Sequence, residues 1–257
     1  MPHHIEAISV NHNTSPYMEL MLRSLAAHHG RDLDLTVTVA DNASTDDMAG
    51  LRAYTERMGI PLVPSGFKTT TPHNSHGEIL SRFVFEHPDC THYLFLDADV
   101  CFIEDNTLGV MQDELDATPA AFGIGARLSW DGIAEIPEEV RAGNPDLYAA
   151  RLHPCCALIK NTTLFRQVVS EIGLSEVRYV WAEREEFIDT CKLMTRVMQA
   201  YGFKHLISSR MVVHFFCVSY DWDPHQMKQQ KERHRDRRLA ALRALETCQR
   251  MEPPTVG

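Results

Sequence analysis

The first hundred residues repeat one order of apolar and polar positions. Short apolar runs of strand length occupy residues 7–10, 35–40, 60–63 and 93–96. Between them, apolar residues recur at three- and four-residue spacing. Tyr17, Leu20, Met21, Leu25 and His28 share one helical face, Met48, Leu51, Thr55 and Met58 a second, and Ile79, Leu80, Phe83 and Val84 a third. The punctuation agrees. Ser15 is placed to cap a helix with Pro16 at its first position, Ser44 to cap the next with Asp47 supporting it, and Gly30 and Gly59 to end them. Strand, helix, strand, helix, strand predicts an α/β domain that opens as a parallel sheet, with right-handed crossovers and helices on both faces.

The second half is less regular. The pattern predicts helices over 107–117, 162–172 and 190–201, the last capped by Asp189-Thr190 with Leu193, Val197 and Ala200 inward. Strands are expected over 121–128 and 155–159 and at Met211-Val212-Val213. Residues 131–149 hold Pro137, Pro145, Gly132 and Gly143 and read as loop or lid rather than core. Residues 179–186 read as irregular and charged. A charged helix is expected from Pro224 onward, covering the sheet or forming a homodimer contact, with its Lys and Arg also offering a surface to anionic lipid.

Composition narrows the partners. A net charge of −10 over 257 residues argues against a nucleic-acid surface. No apolar run reaches membrane-spanning length and no leader-like segment opens the chain, so a soluble cytoplasmic protein is expected. Seven cysteines without a C-x-x-C pair read as reduced, buried thiols. Fourteen histidines, mostly single in polar stretches, read as surface residues.

The chemistry concentrates where the strands end. Tyr93-Leu94-Phe95-Leu96 stops at Asp97-Ala98-Asp99. Carboxylates two apart on a strand share a face and can reach one cation. Hard oxygen ligands suit Mg²⁺ or Mn²⁺. The strands before Asn11-His12-Asn13-Thr14 and before Asp41 to Asp46 end on the same edge. Ligands of open α/β sheets gather beyond that edge, so the three loops should meet in one crevice. Trp130 and Trp181 could stack on a sugar, although packing in core or lid is the simpler role.

These segments resemble a known family. Ile8-Ser9-Val10-Asn11, then Val39-Ala40-Asp41-Asn42-Ala43-Ser44-Thr45-Asp46, then Leu96-Asp97-Ala98-Asp99 are similar, in order, to the motifs of family 2 glycosyltransferases of GT-A fold. The likeness is strongest over residues 5–110. It implies a nucleotide-sugar-binding half at 1–110, an acceptor-binding half at 111–223 and a C-terminal helix and tail at 224–257. It implies that Asn11, His12, Asn13, Asp41, Asn74, Asp97 and Ala98 bind the nucleotide sugar, with Asp41 accepting from a base N–H. Ala43 stands where the family often has Gly, which is tolerable at negative φ. Asp99, Asp97 and a late histidine, His214, would hold the divalent cation, Mn²⁺ or Mg²⁺. The general base would come from Asp189, Glu186 or Glu185, in that order, although the usual Glu-Asp pair is missing.

The activity so implied is metal-dependent, inverting transfer of a sugar, most often from a UDP-sugar, to a hydroxyl of a soluble acceptor such as a natural product or saccharide. Two alternatives stay open. A nucleotidyltransferase also joins an α/β sheet to paired carboxylates, but residues 11–16 lack the Gly, Lys and Arg of a phosphate loop. A catalytically inactive nucleotide-binding module fits the missing Glu-Asp pair.

Overall fold

The computed structural model describes residues 3–29, 33–67, 75–219 and 226–251. The chain runs β1 (His4–Asn11), α1 (Ser15–His28), β2 (Asp34–Asp41), α2 (Ala49–Met58), β3 (Leu62–Pro64), α3 (His76–Glu86) and β4 (His92–Asp97). It continues with β5 (Val100–Phe102), α4 (Thr107–Asp116), β6 (Ala121–Ser129), the short α5 (Glu138–Gly143), a 3-10 turn (Pro145–Leu147), β7 (Cys156–Lys160) and α6 (Thr163–Ile172). Then come β8 (Val177–Trp181), β9 (Arg184–Ile188), α7 (Lys192–Ala200), β10 (Lys204–His214) and α8 (Lys228–Met251).

One eight-stranded sheet crosses the whole chain in the order β3-β2-β1-β4-β7-β6-β10-β5. β3, β2, β1 and β4 are parallel, as the sequence predicts. β6 and β10 are parallel to each other. β7 runs against both its neighbours and β5 runs against β10, so the sheet is mostly parallel rather than wholly so. Side chains alternate between two cores, as a pleated strand requires. Leu94 and Leu96 of β4 enter one and Tyr93 and Phe95 the other.

The sheet cannot be flat. β5 follows β4 after two residues, yet β7, β6 and β10 stand between them. Four strand spacings span about 19 Å, while the three peptide steps from Asp97 to Val100 reach at most about 11 Å. The sheet therefore curls until the end of β10 lies over the end of β4. A break in the β10–β6 register between Ile207 and Met211 marks an irregularity in this region, and bulges of this kind bend strands. Glu114 and Glu104 satisfy the backbone freed there. Ser209 N donates to Glu114 Oε1 (3.1 Å), and Met211 N to Glu104 Oε2 (2.8 Å).

Several local expectations are corrected by packing. α1 starts at Ser15 with Thr14, not Ser15, at its cap. Ser44 caps nothing, because α2 begins after Met48 and the Ser44 hydroxyl serves the loops described below. Met58 is 49% exposed, and Tyr54 fills the place instead, with the guanidiniums of Arg23 and Arg57 at 4.3 and 4.9 Å from its ring. Residues 131–149 are not only loop, since Ile136 and Leu147 join the core. Residues 179–186 belong to a regular hairpin, β8–β9, whose β-rich residues are masked in sequence by alternating charges. Cys217 is exposed, unlike the other described cysteines. Trp130 is 50% exposed rather than packed away.

α8 covers the outer side of α1, whose residues are consequently buried on nearly every face. Arg243 pairs with Glu19 (2.6 Å), and Glu246 with Arg23 (2.6 Å) and Arg57 (2.8 Å). Buried charges are tolerable when paired in this way. No helix among the described residues is long and apolar enough to cross a membrane.

His92 departs from the surface role expected of the histidines. It opens β4 with its ring buried, Nδ1 lying 3.0 Å from Thr91 Oγ1. Burial pushes its pKa down to about 4, with His3 and Lys160 acting in the same sense and Asp116 opposing. The fold thus favours the neutral ring. The stability this gives is present above about pH 6.5 and is lost as the pH falls toward 4. Urea denaturation across this range should show His92→Gln losing up to roughly 3 kcal/mol less than the unaltered chain. Curves that fall in parallel would clear His92 of the effect.

Candidate active site

The carboxyl ends of β4, β1 and β2 lie side by side. Val10 pairs with Asp97 across β1 and β4, and Asn11 with Asp41 across β1 and β2. The three loops named from sequence therefore leave one edge. The curl of the sheet adds the end of β10, where His214 pairs with Val100 and Phe215 N donates to the Asp99 carbonyl (3.0 Å).

Asp97, Asp99 and His214 converge. One ligand atom from each lies within 4.8 Å of the others. His214 Nε2 is 3.3 Å from Asp99 Oδ1 and 3.6 Å from Asp97 Oδ2. Asp99 and His214 are buried, and Asp97 half-buried. The His214 ring is held by packing, with Phe216 at 3.9 Å and His153 edge-on at 5.5 Å. Burial pushes the Asp97 carboxyl up, and the Asp99 charge adds to this, while His76, His214 and Arg151 oppose it. Burial alone would lower His214, but the charges of Asp99 and Asp97 outweigh it and hold the ring above its usual value. A buried and a half-buried carboxylate gathered beside an imidazole are an unfavourable cluster without a counter-charge. Their donor set fits a divalent cation such as Mn²⁺.

The Asn11 side chain is not open to a ligand. It is fully buried, and its Nδ2 donates toward Ser15 Oγ (3.0 Å), Asp41 Oδ1 (3.1 Å) and Ser44 Oγ (3.0 Å). Its Oδ1 accepts from Thr14 Oγ1 (3.0 Å). Asn11 thus ties the first loop to the second, and Asp46 closes the web by accepting from Ser15 N (2.8 Å) and Ser15 Oγ (2.9 Å). Asn13 Oδ1 accepts from Thr45 N (2.7 Å), and His12 Nδ1 sits 2.8 Å from the Asn42 carbonyl. Asn42 ties in turn to Ser75 and Ser65. Asp41 remains partly exposed at the end of β2. Ala98 is buried between the two carboxylates. Asn74 lies outside the described residues.

The candidate bases are separated by the fold. Glu185 and Glu186 stand exposed on β9, Glu185 pairing with Arg178 (3.2 Å). Neither precedes a helix. Asp189 does not cap α7, which starts at Lys192 after Cys191. Its Oδ1 accepts from Thr190 N (2.7 Å), and its Oδ2 pairs with Arg151 Nη2 (2.8 Å). Arg151 is buried and also donates to the Thr190 and Asp146 carbonyls. Its charge acts on Asp97 and His214, and Asp189 is tied to the same guanidinium. The sequence reading missed Arg151 and His153, because each lies in a segment without periodicity.

No protein-family profile and no characterised sequence matches the chain. Solved structures do. A mannosyltransferase from Pyrobaculum calidifontis, in complex with GDP-Man and Mn²⁺, superposes with a TM-score of 0.58 at 17% identity, over 99% of this chain and 67% of that one. Glucosyl-3-phosphoglycerate synthase from Mycobacterium tuberculosis gives 0.53 at 14% identity, over 93% and 80%. S. aureus TarS gives 0.50 at 15%, over 82% of this chain but 35% of its own. The chain has the GT-A glycosyltransferase fold.

One backbone detail corrects the sequence reading. Ala43 has φ +55°, not the negative φ expected of a tolerated Gly replacement. The left-handed region costs an alanine about 1–2 kcal/mol, and glycine returns roughly 0.5–1 kcal/mol of that through its freer unfolded chain. Ala43→Gly should therefore leave stability unchanged or raise it by up to about 1 kcal/mol, measured by chemical denaturation. A clear loss of stability would mean that the methyl group packs favourably.

Proposed function

We propose that the chain is a metal-dependent glycosyltransferase that moves a sugar from a nucleoside-diphosphate donor to an acceptor hydroxyl. The convergence of Asp97, Asp99 and His214 beside the loops of Asn11 and Asp41 carries this reading. The solved relatives support the chemistry. One holds GDP-Man and Mn²⁺, and another holds UDP-glucose, Mn²⁺ and phosphoglyceric acid.

Asp99, Asp97 and His214 hold Mn²⁺ or Mg²⁺ in this reading. When bound, the cation supplies the positive charge that a departing diphosphate needs. Asp41 accepts but cannot donate, so it suits a base that presents an N–H, as uracil does at N3. A UDP-sugar is the donor favoured on that ground. His12, Asn13 and Ala98 line the nucleotide side, and Asn11 shapes it from beneath.

The transfer proceeds with inversion. The acceptor oxygen bonds to the anomeric carbon as the bond from that carbon to the diphosphate oxygen breaks. Asp189 takes the acceptor proton, and Arg151 holds its carboxylate in place. The acceptor is a soluble molecule carrying a free hydroxyl, and Glu185 and Glu186, exposed on β9, are the second candidates for the base.

Calorimetry with UDP, GDP, TDP and CDP, with and without Mn²⁺, tests the donor site. One diphosphate should bind tightly only with Mn²⁺, and Asp99→Ala should weaken that binding at least about 10-fold. Unchanged Mn²⁺-dependent binding would remove Asp99 from the site. Asp189→Asn should keep donor binding and lower kcat by about 10²–10⁴. Near-normal turnover would move the base to Glu186 or Glu185.

A further inference from the structure

We propose that His76 is the positioning residue that aims Asp97 at the cation and so sets the affinity of the site for Mn²⁺. The inference takes from the proposed function only the presence of a cation at Asp97, Asp99 and His214.

Asp97 has two oxygens with separate neighbours. Oδ2 faces His214 Nε2 at 3.6 Å, on the side where Asp99 completes the cluster. Oδ1 faces His76 Nε2 at 3.7 Å. His76 is not among the three residues whose ligand atoms enclose a common point. Its ring faces the Asp97 oxygen opposite the one that faces His214. A contact of 3.7 Å is longer than a hydrogen bond, and a closure of roughly 0.7 Å would make it one. A carboxylate engaged on one oxygen presents the other in a fixed direction, which is how outer groups tune metal ligands.

The fold holds His76 for this purpose. It is the first residue of α3, and the turn that follows is locked against the segment after α6. A Cβ on Gly77 would lie 2.2 Å from Ser175 Cα and 2.5 Å from Ser175 N, so the backbones meet there with no room for a side chain. Ser81 Oγ accepts from Leu174 N (2.9 Å) and donates to the Gly77 carbonyl (2.7 Å). The start of α3 is thereby fixed with the imidazole at Asp97. α6 and α3 share one core, so the second half of the chain sets the angle of a residue in the first.

Mn²⁺ binding read from the electron paramagnetic resonance signal of the free ion, alone and with UDP or GDP, tests this without any transfer assay. His76→Ala should weaken Mn²⁺ binding by about 10-fold or more, and His76→Gln, which keeps an N–H donor near the Nε2 position, should stay within about threefold of the unaltered chain. Both variants should melt close to the unaltered chain, because the ring is only half-buried. His76→Ala within twofold of the unaltered chain would overturn the proposal. So would equal loss in the two variants, since the N–H would then not be the cause. An unaltered chain that binds no Mn²⁺, with or without either diphosphate, would remove the glycosyltransferase reading along with it. Normal Mn²⁺ binding that His76→Ala leaves intact would remove only the role of His76.

Discussion

The two-residue link between β4 and β5 constrains everything around it. Ala98 and Asp99 must carry the chain from the middle of an eight-stranded sheet to its far edge. A flat sheet would set those strands about 19 Å apart, and the link reaches little more than half of that. The sheet has to curl, and curling brings the last residue of β10 onto the residues of the link. His214 meets Asp97 and Asp99 because the strand connection leaves it nowhere else to go. The bulge in β10, with Glu114 and Glu104 answering its free amides, accompanies this bend.

A second constraint acts on the nucleotide side. The loops after β1 and β2 carry many hydroxyls and carboxylates with no regular structure to satisfy them. Asn11, fully buried, takes up four of these contacts, and Asp46 two more. Buried polar groups that are fully paired rigidify a site, and half-paired ones would destabilise it. The loops can therefore hold two left-handed residues, Asn13 and Ala43, in fixed positions. Asp41 stays partly exposed, with one of its oxygens engaged by Asn11.

The second half of the chain adds charge control. Arg151 brings its guanidinium to Asp189 and Thr190 and, through space, lowers the Asp97 carboxyl that burial raises. His76 and His214 act on the same carboxyl from its two sides. α8 stands apart from this chemistry. Its pairs with Glu19 and Arg23 neutralise charges that α1 buries, and Glu246 also reaches the exposed Arg57 of α2.

The first four strands, their helices and the Asp97-Asp99 motif were legible in the sequence. Each rests on local periodicity or on an abrupt change from apolar to charged, and such signals survive without a partner. The Ser44 cap, the Asp189 cap and the 179–186 loop were misread for one reason. In each case the deciding partner lies outside the misread stretch's own local pattern, far along the chain for Ser44 and Asp189 and on the facing strand for the hairpin. Ser44 turns to Asn11 and Asn13, Asp189 turns to Arg151, and the charged hairpin pairs with itself across a tight turn. The sequence by itself determined the alternating elements, the edge at which the loops gather and two carboxylates at its centre. Only the tertiary structure decided the direction of β7 and β5, the approach of His214 and His76, and which acid pairs with Arg151. Those depend on how far a short link can reach and on which buried charges find partners, and neither is written in any one segment.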